Sequence, residues 1–409
     1  MDELTQHRQI LKPSRPLRVL LVAPSLGILG GQAIQAARLF DKLQEIPSLD
    51  VSMLPINPRL PGLLSKLQSI KYVRTLLTSL LYVTSLALRV NKYDLVHIFS
   101  ASYFSFLLAP TPAVLIARLY GKKAILNYRS GEAEDHLQRW RGTAVPTIRL
   151  VDEIVVPSGY LVDVFSRFGL HARSIPNFVD TSNFRFRSRK PLRPVFLSTR
   201  NLEPLYNVGC TLRAFAIVQK RFPEARLTVA GDGSQRAALE DLASELGLRD
   251  IQFVGRVAPT QMPKLYDSAD IYLNTPDIDN MPGSVIEAFA SGLPVVTTNA
   301  GGIPYLIADG KNGLMTERGD HGRVAARAIS LLENGTLALT IAENAYRDCG
   351  KYSWDSVRDE WMDLYCDVAF KDSPQQRQQG IDIRTVGKTR VPNDNGSRLV
   401  SPGTVSERD

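Results

Sequence analysis

Cysteine is scarce. The 409 residues hold three, Cys210, Cys349 and Cys366. They are too few and too irregularly spaced for a disulfide framework or a thiolate metal cluster, so a reducing compartment is expected. Histidine numbers five, and no His/Cys spacing reads as a metal site. No Ser/His/Asp or Cys/His constellation for covalent catalysis stands out. The N-terminus, MDELTQHRQILKPSRPLR, has no apolar core of signal-peptide length, so no export signal is expected. The uncharged run Leu95–Ala117 is long enough for a bilayer span, but His97, three serines, Pro110 and Pro112 interrupt it. It reads instead as a strand, a polar loop and a buried helix.

Acid is missing from residues 51–93, where six basic residues stand: Arg59, Lys66, Lys71, Arg74, Arg89 and Lys92. The imbalance is general in this half. Residues 1–190 carry 25 Lys and Arg against 13 Asp and Glu, whereas the whole chain is +8, so the remainder is mildly acidic. One face of one domain is therefore suited to a polyanion. The segment GLLSKLQSIKYVRTLLTSLLYVTSLALRV has a helical period, with Leu63, Leu67, Ile70, Leu77, Leu81 and Leu88 on one stripe and Lys66, Arg74 and Arg89 off it. A basic amphipathic helix of this kind rests on an anionic leaflet, so residues 59–93 are the candidate peripheral membrane contact. The same pattern also suits a helix packed on a sheet. Nucleic acid is not expected as a partner, because the basic residues are not interleaved with aromatics and no recognition motif occurs.

Apolar runs and helical periods alternate along the chain. RVLLVAP, VSMLPI, DLVHIFS, KAILNYR and VDEIVVPS read as strands. Helices fall between them from Gln32, over PAVLIARLYG and over GYLVDVFSRFG. The basic, proline-punctuated RFRSRKPLRP (Arg185–Pro194) reads as a linker. A second alternation runs through VFLSTRN, RLTVAGDG, IQFVG, IYLNT and VVTT, and the pattern after Gly319 is helical to about Phe370. Such alternation predicts parallel sheets covered on both faces. The expected fold class is α/β, two doubly wound Rossmann-like domains facing across a cleft. The N-terminal domain is expected over residues 1–188 and the C-terminal one over 189–350. A helix over 351–370 is expected to return toward the first domain. Residues 371–409 are polar and aperiodic and read as a disordered tail.

The densest stretch is DNMPGSVIEAFASGLPVVTTNAGGIPY, Asp279–Tyr305. Asp279 or Asn280 can cap a helix, Pro282 suits its first turn, and Gly292 with Pro294 ends it. The turn Asn280, Met281, Pro282, Gly283, Ser284 then offers unpaired amides and the positive end of a helix dipole, which suits a phosphate. Asp279 before the helix and Glu287 one turn inside it can accept hydrogen bonds from hydroxyls. An ordinary capped helix with two solvated acids fits the same letters.

The stretch resembles the signature of the retaining nucleotide-sugar glycosyltransferases of family four, which have two facing Rossmann-like domains (the GT-B type). Their motif pairs two Glu residues around EAxASGxPVV…GGxxE; here Asp279 takes the first Glu position, Glu287 the second, and Tyr305 stands where Glu is frequent. SADIYLNTP, DGKNGLM, LSTRNLEPLYNVGCTLRAF, VPSGY…IPNFVD and the Gly30–Gly31 pair extend the resemblance over most of the chain. It implies a donor diphosphate held by Arg200, Asn207 and the turn Asn280–Ser284. It puts Glu287 on the ribose, Asp279 on the sugar, the base near Gly255 and Arg256, and Gly30 and Gly31 at an acceptor or phosphate loop. The family lysine after Arg200 is missing, with Tyr206 and Asn207 in that region. The family histidine facing the sugar is replaced by Arg129, with His136 seven residues on; a surface Arg129 paired with Glu132 is the plainer alternative.

The resemblance implies a retaining glycosyltransferase that moves a sugar from a nucleotide-diphosphate donor to a lipid-linked or other cell-envelope glycan. It would have no cofactor and no metal, and would be cytoplasmic and membrane-associated on the inner face. A non-catalytic nucleotide-sugar-binding homologue and a sugar-nucleotide epimerase on the same scaffold are the alternatives.

Overall fold

The structure is a computed structural model of the chain. It describes residues 15–25, 31–58, 70–100 and 102–370. The expectations placed on Gly30, on residues 59–69 (Arg59, Leu63, Lys66 and Leu67 among them) and on the 371–409 tail lie outside the described residues.

The first half alternates β1 (Leu17–Ala23), α1 (Gly31–Gln44), β2 (Leu49–Pro55), α2 (Lys71–Arg89), β3 (Leu95–Phe99), α3 (Phe104–Leu108), α4 (Pro110–Leu119) and β4 (Lys123–Asn127). It continues with α5 (Ala133–Arg139), α6 (Arg141–Ile148), β5 (Glu153–Val156), α7 (Gly159–Ser166) and β6 (Arg173–Ser174). The second half runs β7 (Val195–Ser198), α8 (Val208–Arg221), β8 (Arg226–Ala230), α9 (Arg236–Glu245), β9 (Ile251–Gly255), α10 (Met262–Ser268) and β10 (Ile271–Asn274). It ends with α11 (Gly283–Ala290), β11 (Val295–Thr298), β12 (Leu314–Thr316), α12 (His321–Glu333), α13 (Gly335–Cys349) and α14 (Trp354–Phe370).

Two parallel six-stranded sheets result, in the orders β2-β1-β3-β4-β5-β6 and β12-β11-β10-β7-β8-β9. The central strands β1, β3, β4, β10 and β11 are buried on both faces, which is why they read as apolar runs without alternation, whereas the edge strand β9 alternates. In the second sheet the chain first winds from β7 toward β9, then returns to β10 on the other side of β7. That reversal leaves a crevice beyond the carboxyl ends of β7 and β10, the usual ligand position in an open α/β sheet.

Helix α14 belongs to the core of the first sheet. Trp361 and Tyr365 are fully buried there with Leu21, Leu95, Phe99 and Ile125. Residues 133–148, for which no element was expected, form α5 and α6.

The expected linker Arg185–Pro194 carries no helix or strand, and three of its arginines anchor it. Arg187, Arg189 and Arg193 close on the fully buried Asp270, with Nη2 of Arg187 at 3.0 Å and Nη2 of Arg193 at 2.8 Å from its Oδ1. Arg189 also donates to the carbonyls of Ala269, Ser291 and Gly292. The basic run is therefore fastened to the second domain. In α2, the inward face is Tyr82, Leu86 and, just beyond the helix, Val90, with the Tyr82 hydroxyl donating to the Ala109 carbonyl at 2.9 Å. Leu88, assigned to the apolar stripe, points to solvent with Leu76 and Leu80.

Candidate functional site

The crevice at β7 and β10 is built by three segments. Arg200 follows β7. Its Nη2 donates to Asp279 Oδ2 at 2.6 Å and its Nη1 to Ser284 Oγ at 3.2 Å. The Tyr206 ring lies under its guanidinium at 4.0 Å, a cation–π contact in the region of the missing lysine. Burial opposes the Arg200 charge, but Asp279 and the nearby tyrosine hydroxyls outweigh it and its pKa rises. Burial likewise pushes the Asp279 carboxyl up, against the pull of Arg200 and of the Asn280 amide, which donates to Asp279 Oδ1 at 2.8 Å.

The turn leading into α11 is held from below. The Tyr266 hydroxyl donates to the Ser284 carbonyl at 3.0 Å and shares Thr199 Oγ1 with Tyr272. Behind it, the Gly301–Gly302 turn presses so closely that a side chain at either position would run into the carbonyls of Asp279 and Asn280. Only glycine fits, and the amide of Gly302 donates to Asp279 O at 3.2 Å. No side chain caps α11, so its first amides at Gly283 and Ser284 remain the open end of the helix. Two further buried donors, Arg200 Nε and Asn280 Nδ2, have no partner among the described residues.

The first domain closes over this turn. Ser158, preceding α7, donates to Asn280 Oδ1. Arg38 of α1 donates through Nη2 to Glu287 Oε1 at 3.0 Å. Tyr305, in the frequent Glu position, donates to Asp163 of α7. Asn177 donates through Nδ2 to Met281 O at 2.7 Å.

Arg129 enters beside Asn177. Its Nε donates to Asn127 Oδ1 at 2.8 Å and its Nη1 to Asn177 Oδ1. It is half-buried and bonded to these two amide oxygens rather than to Glu132, and burial pulls its pKa below the ordinary value. Asn127 in turn donates through Nδ2 to His97 Nε2 at 3.0 Å. That assigns the proton to His97 Nδ1, which donates to the Tyr365 hydroxyl at 2.8 Å. Burial holds this imidazole neutral, with its pKa down to about 3. A chain of directed bonds thus runs from α14 through β3 and β4 to the crevice. His136 is a core residue on Tyr128, pulled down to about 4 by burial.

Arg200, Asp279, Asn280, Met281, Pro282, Gly283, Ser284, Glu287 and Arg129 are brought together. Four residues stand apart. Asn207 is a left-handed N-cap (φ 41°) whose Oδ1 accepts from the Cys210 amide and whose Nδ2 goes to Asp277. Gly255 ends β9, and Arg256 is an exposed rim residue 3.7 Å from Asp232. Gly31 opens α1. An Asp-x-Asp string, Asp277–Asp279, does occur, but Asp277 faces Asn207 while Asp279 faces Arg200. Among the described residues no group of three His, Cys, Asp or Glu is placed to hold a metal ion. Arg38, Ser158, Asn177 and Tyr206 are the site residues that sequence reasoning missed. Asn177 lies in the quoted IPNFVD, and Arg38 sits two turns after the Gly30–Gly31 pair, but neither carries a local signature.

Two facing parallel α/β domains with this crevice define a GT-B-type fold. Residues 180–348, which include most of the second domain, match the model of the glycosyl transferases group 1 family. The D-inositol 3-phosphate glycosyltransferase of Corynebacterium urealyticum is 32% identical over 173 residues, 40% of this chain and 41% of that protein. The chain spans about two fifths of the length of the curated relatives it matches first. HepE of Anabaena, solved with UDP and glucose, superposes with a TM-score of 0.67 at 18% identity, covering 85% of this chain and 99% of that one. The sucrose-phosphate synthase of Thermosynechococcus elongatus superposes at 0.69 with 17% identity, covering 85% and 98%.

Proposed function

We propose that the protein is a retaining glycosyltransferase that moves a sugar from a nucleotide-diphosphate donor to a lipid-linked or other cell-envelope glycan. One observation carries the reading: the Arg200 guanidinium, the open amides of α11 and two buried donors without a partner among the described residues, Arg200 Nε and Asn280 Nδ2, converge on one crevice. Buried donors without acceptors are costly unless a ligand supplies the oxygens. A diphosphate does so, and a helix N-terminus favours its charge.

In this reading Arg200, with the turn Asn280–Ser284, holds the diphosphate. Glu287 accepts from the ribose, Asp279 and Arg129 face the sugar, and the base lies toward Gly255 and Arg256. Asn207 supports the loop rather than touching the donor. As the anomeric C–O bond breaks, charge develops on the leaving phosphate, where the guanidinium and amides stabilise it. The acceptor hydroxyl attacks from the same face and passes its proton to that phosphate. The anomeric carbon exchanges one oxygen for another, and the chain supplies no nucleophile.

In this reading α2 is the element that would bring the protein to a lipid-borne acceptor. Leu76, Leu80 and Leu88 are 70%, 58% and 79% exposed, beside a neighbouring α4 that exposes Leu115 and Leu119. Apolar side chains flanked by Arg74 and Arg89 suit an anionic leaflet.

The test is nucleotide release across a panel of nucleotide sugars with membrane extract, followed by mass spectrometry of the products. Acceptor-dependent release with a heavier product supports the reading. Donor binding without release would turn it into a non-catalytic homologue, and donor conversion without acceptor into an epimerase.

A further inference from the structure

The crevice holds three guanidinium groups and two carboxylates facing them. Arg200 has Asp279 and Arg38 has Glu287, at 2.6 and 3.0 Å. Arg129 has neither. Its two bonds go to the amide oxygens of Asn127 and Asn177, both neutral, and the Phe99 ring lies 5.3 Å below it. No carboxylate pairs with it among the described residues. The buried Arg189, by contrast, reaches Asp270 as well as carbonyls. A half-buried cation left without a counter-charge among the described residues is costly. It persists where the fold holds it for an anion that arrives from outside.

The holding is specific. Asn127 spends its amide on His97, so its oxygen must face Arg129. Asn177 spends its amide on Met281, so its oxygen does the same. Both amides are buried. The guanidinium is thereby oriented from two sides, on the wall opposite Arg200 and one residue away from the Met281 carbonyl.

We propose that Arg129 binds a second anion, distinct from the donor diphosphate: an acidic substituent, carboxylate or phosphate, on one of the two reacting sugars. The proposal rests on the donor-site reading above. It deepens that reading by making the substrate pair one with an acidic sugar, and Arg129 the residue that selects it.

The experiment is calorimetric titration of inorganic phosphate into the full chain saturated with UDP, GDP or ADP, whichever binds. Saturable phosphate binding to the nucleotide-loaded protein is expected. It should weaken at least tenfold in Arg129→Gln and less in Arg129→Lys, while nucleotide affinity changes less than threefold. Repeating the titration with UDP-glucuronate in place of UDP locates the acid. Loss of phosphate binding puts it on the donor; continued binding puts it on the acceptor. The proposal is overturned if the nucleotide-loaded wild type shows no saturable phosphate binding, or if Arg129→Gln leaves that binding unchanged. It is equally overturned if the substitution weakens the nucleotide itself tenfold, since Arg129 would then belong to the diphosphate grip. Because the first of these outcomes needs no variant, misfolding of Arg129→Gln cannot protect the idea. No nucleotide binding to the wild type would instead sink the donor-site reading, and this proposal with it.

Discussion

Arg38 of the first domain and Glu287 of the second meet at 3.0 Å across the crevice, and this pair occupies the carboxylate that the donor ribose is proposed to use. Donor entry must therefore exchange one guanidinium contact for hydroxyl contacts. Glu287→Gln removes the charged acceptor. A hydrogen bond to a charged group contributes about 1.5–3 kcal/mol, so nucleotide affinity should fall tenfold or more while the melting temperature barely moves. Arg38→Ala, which frees the carboxylate, should not weaken the nucleotide. Unchanged affinity in Glu287→Gln would remove that residue from the donor site.

Arg200 and Asp279 form a buried pair, so removing one partner strands the other. Arg200→Gln should cost about 3–5 kcal/mol of stability and abolish nucleotide release. Arg200→Gln combined with Asp279→Asn should recover most of the stability and none of the release. Urea denaturation of the three proteins separates the two effects; a double variant that also regains release would deny Arg200 its role.

Asp270 reports on acid stability. Burial alone would raise its carboxyl, but hydrogen bonds from Arg193 and Arg187 overcome that and hold it below the ordinary value. Its contribution is thus fully present above the unfolded value of about 3.9 and is lost as pH falls through the lower folded value. Asp270→Asn should be less stable than wild type at neutral pH. The gap should narrow only below about pH 4. A gap that closes already at pH 6 would contradict the clamp.

Asn207 is assigned to the loop, not the ligand. Asn207→Ala loses the cap on α8 and must hold a left-handed backbone, together costing about 2–3 kcal/mol. Asn207→Gly should cost less. Neither should change nucleotide affinity beyond threefold in the folded protein, and a selective affinity loss would return Asn207 to the diphosphate.

The membrane reading is checked by vesicle sedimentation. Leu76→Ser, Leu80→Ser and Leu88→Ser combined should lower binding to vesicles containing phosphatidylserine, and Arg74→Gln with Arg89→Gln should weaken it further at low salt. Wild-type protein that fails to bind such vesicles would end that part of the proposal.

The central parallel strands were legible because both their faces are buried and their letters run almost wholly apolar. The turn before α11 was legible because Pro282, Gly292 and Pro294 punctuate a helix whose ends are decided within a few residues. Helices α5 and α6 were not, because residues 133–148 mix charge and proline without a clean period. The anchoring of the linker was not legible for a related reason: four arginines within nine residues give no sign of Asp270, some eighty positions away, that folds against them.

Local chemistry needs only neighbours in the chain. The sequence by itself therefore settled the strand-and-helix alternation and where α11 begins and ends. Pairings between distant residues depend on how two sheets come to face each other. Arg38 with Glu287, Arg129 between Asn127 and Asn177, and Tyr365 behind His97 were decided by the tertiary structure alone, because burial and counter-charge are properties of a place in the fold and not of a letter.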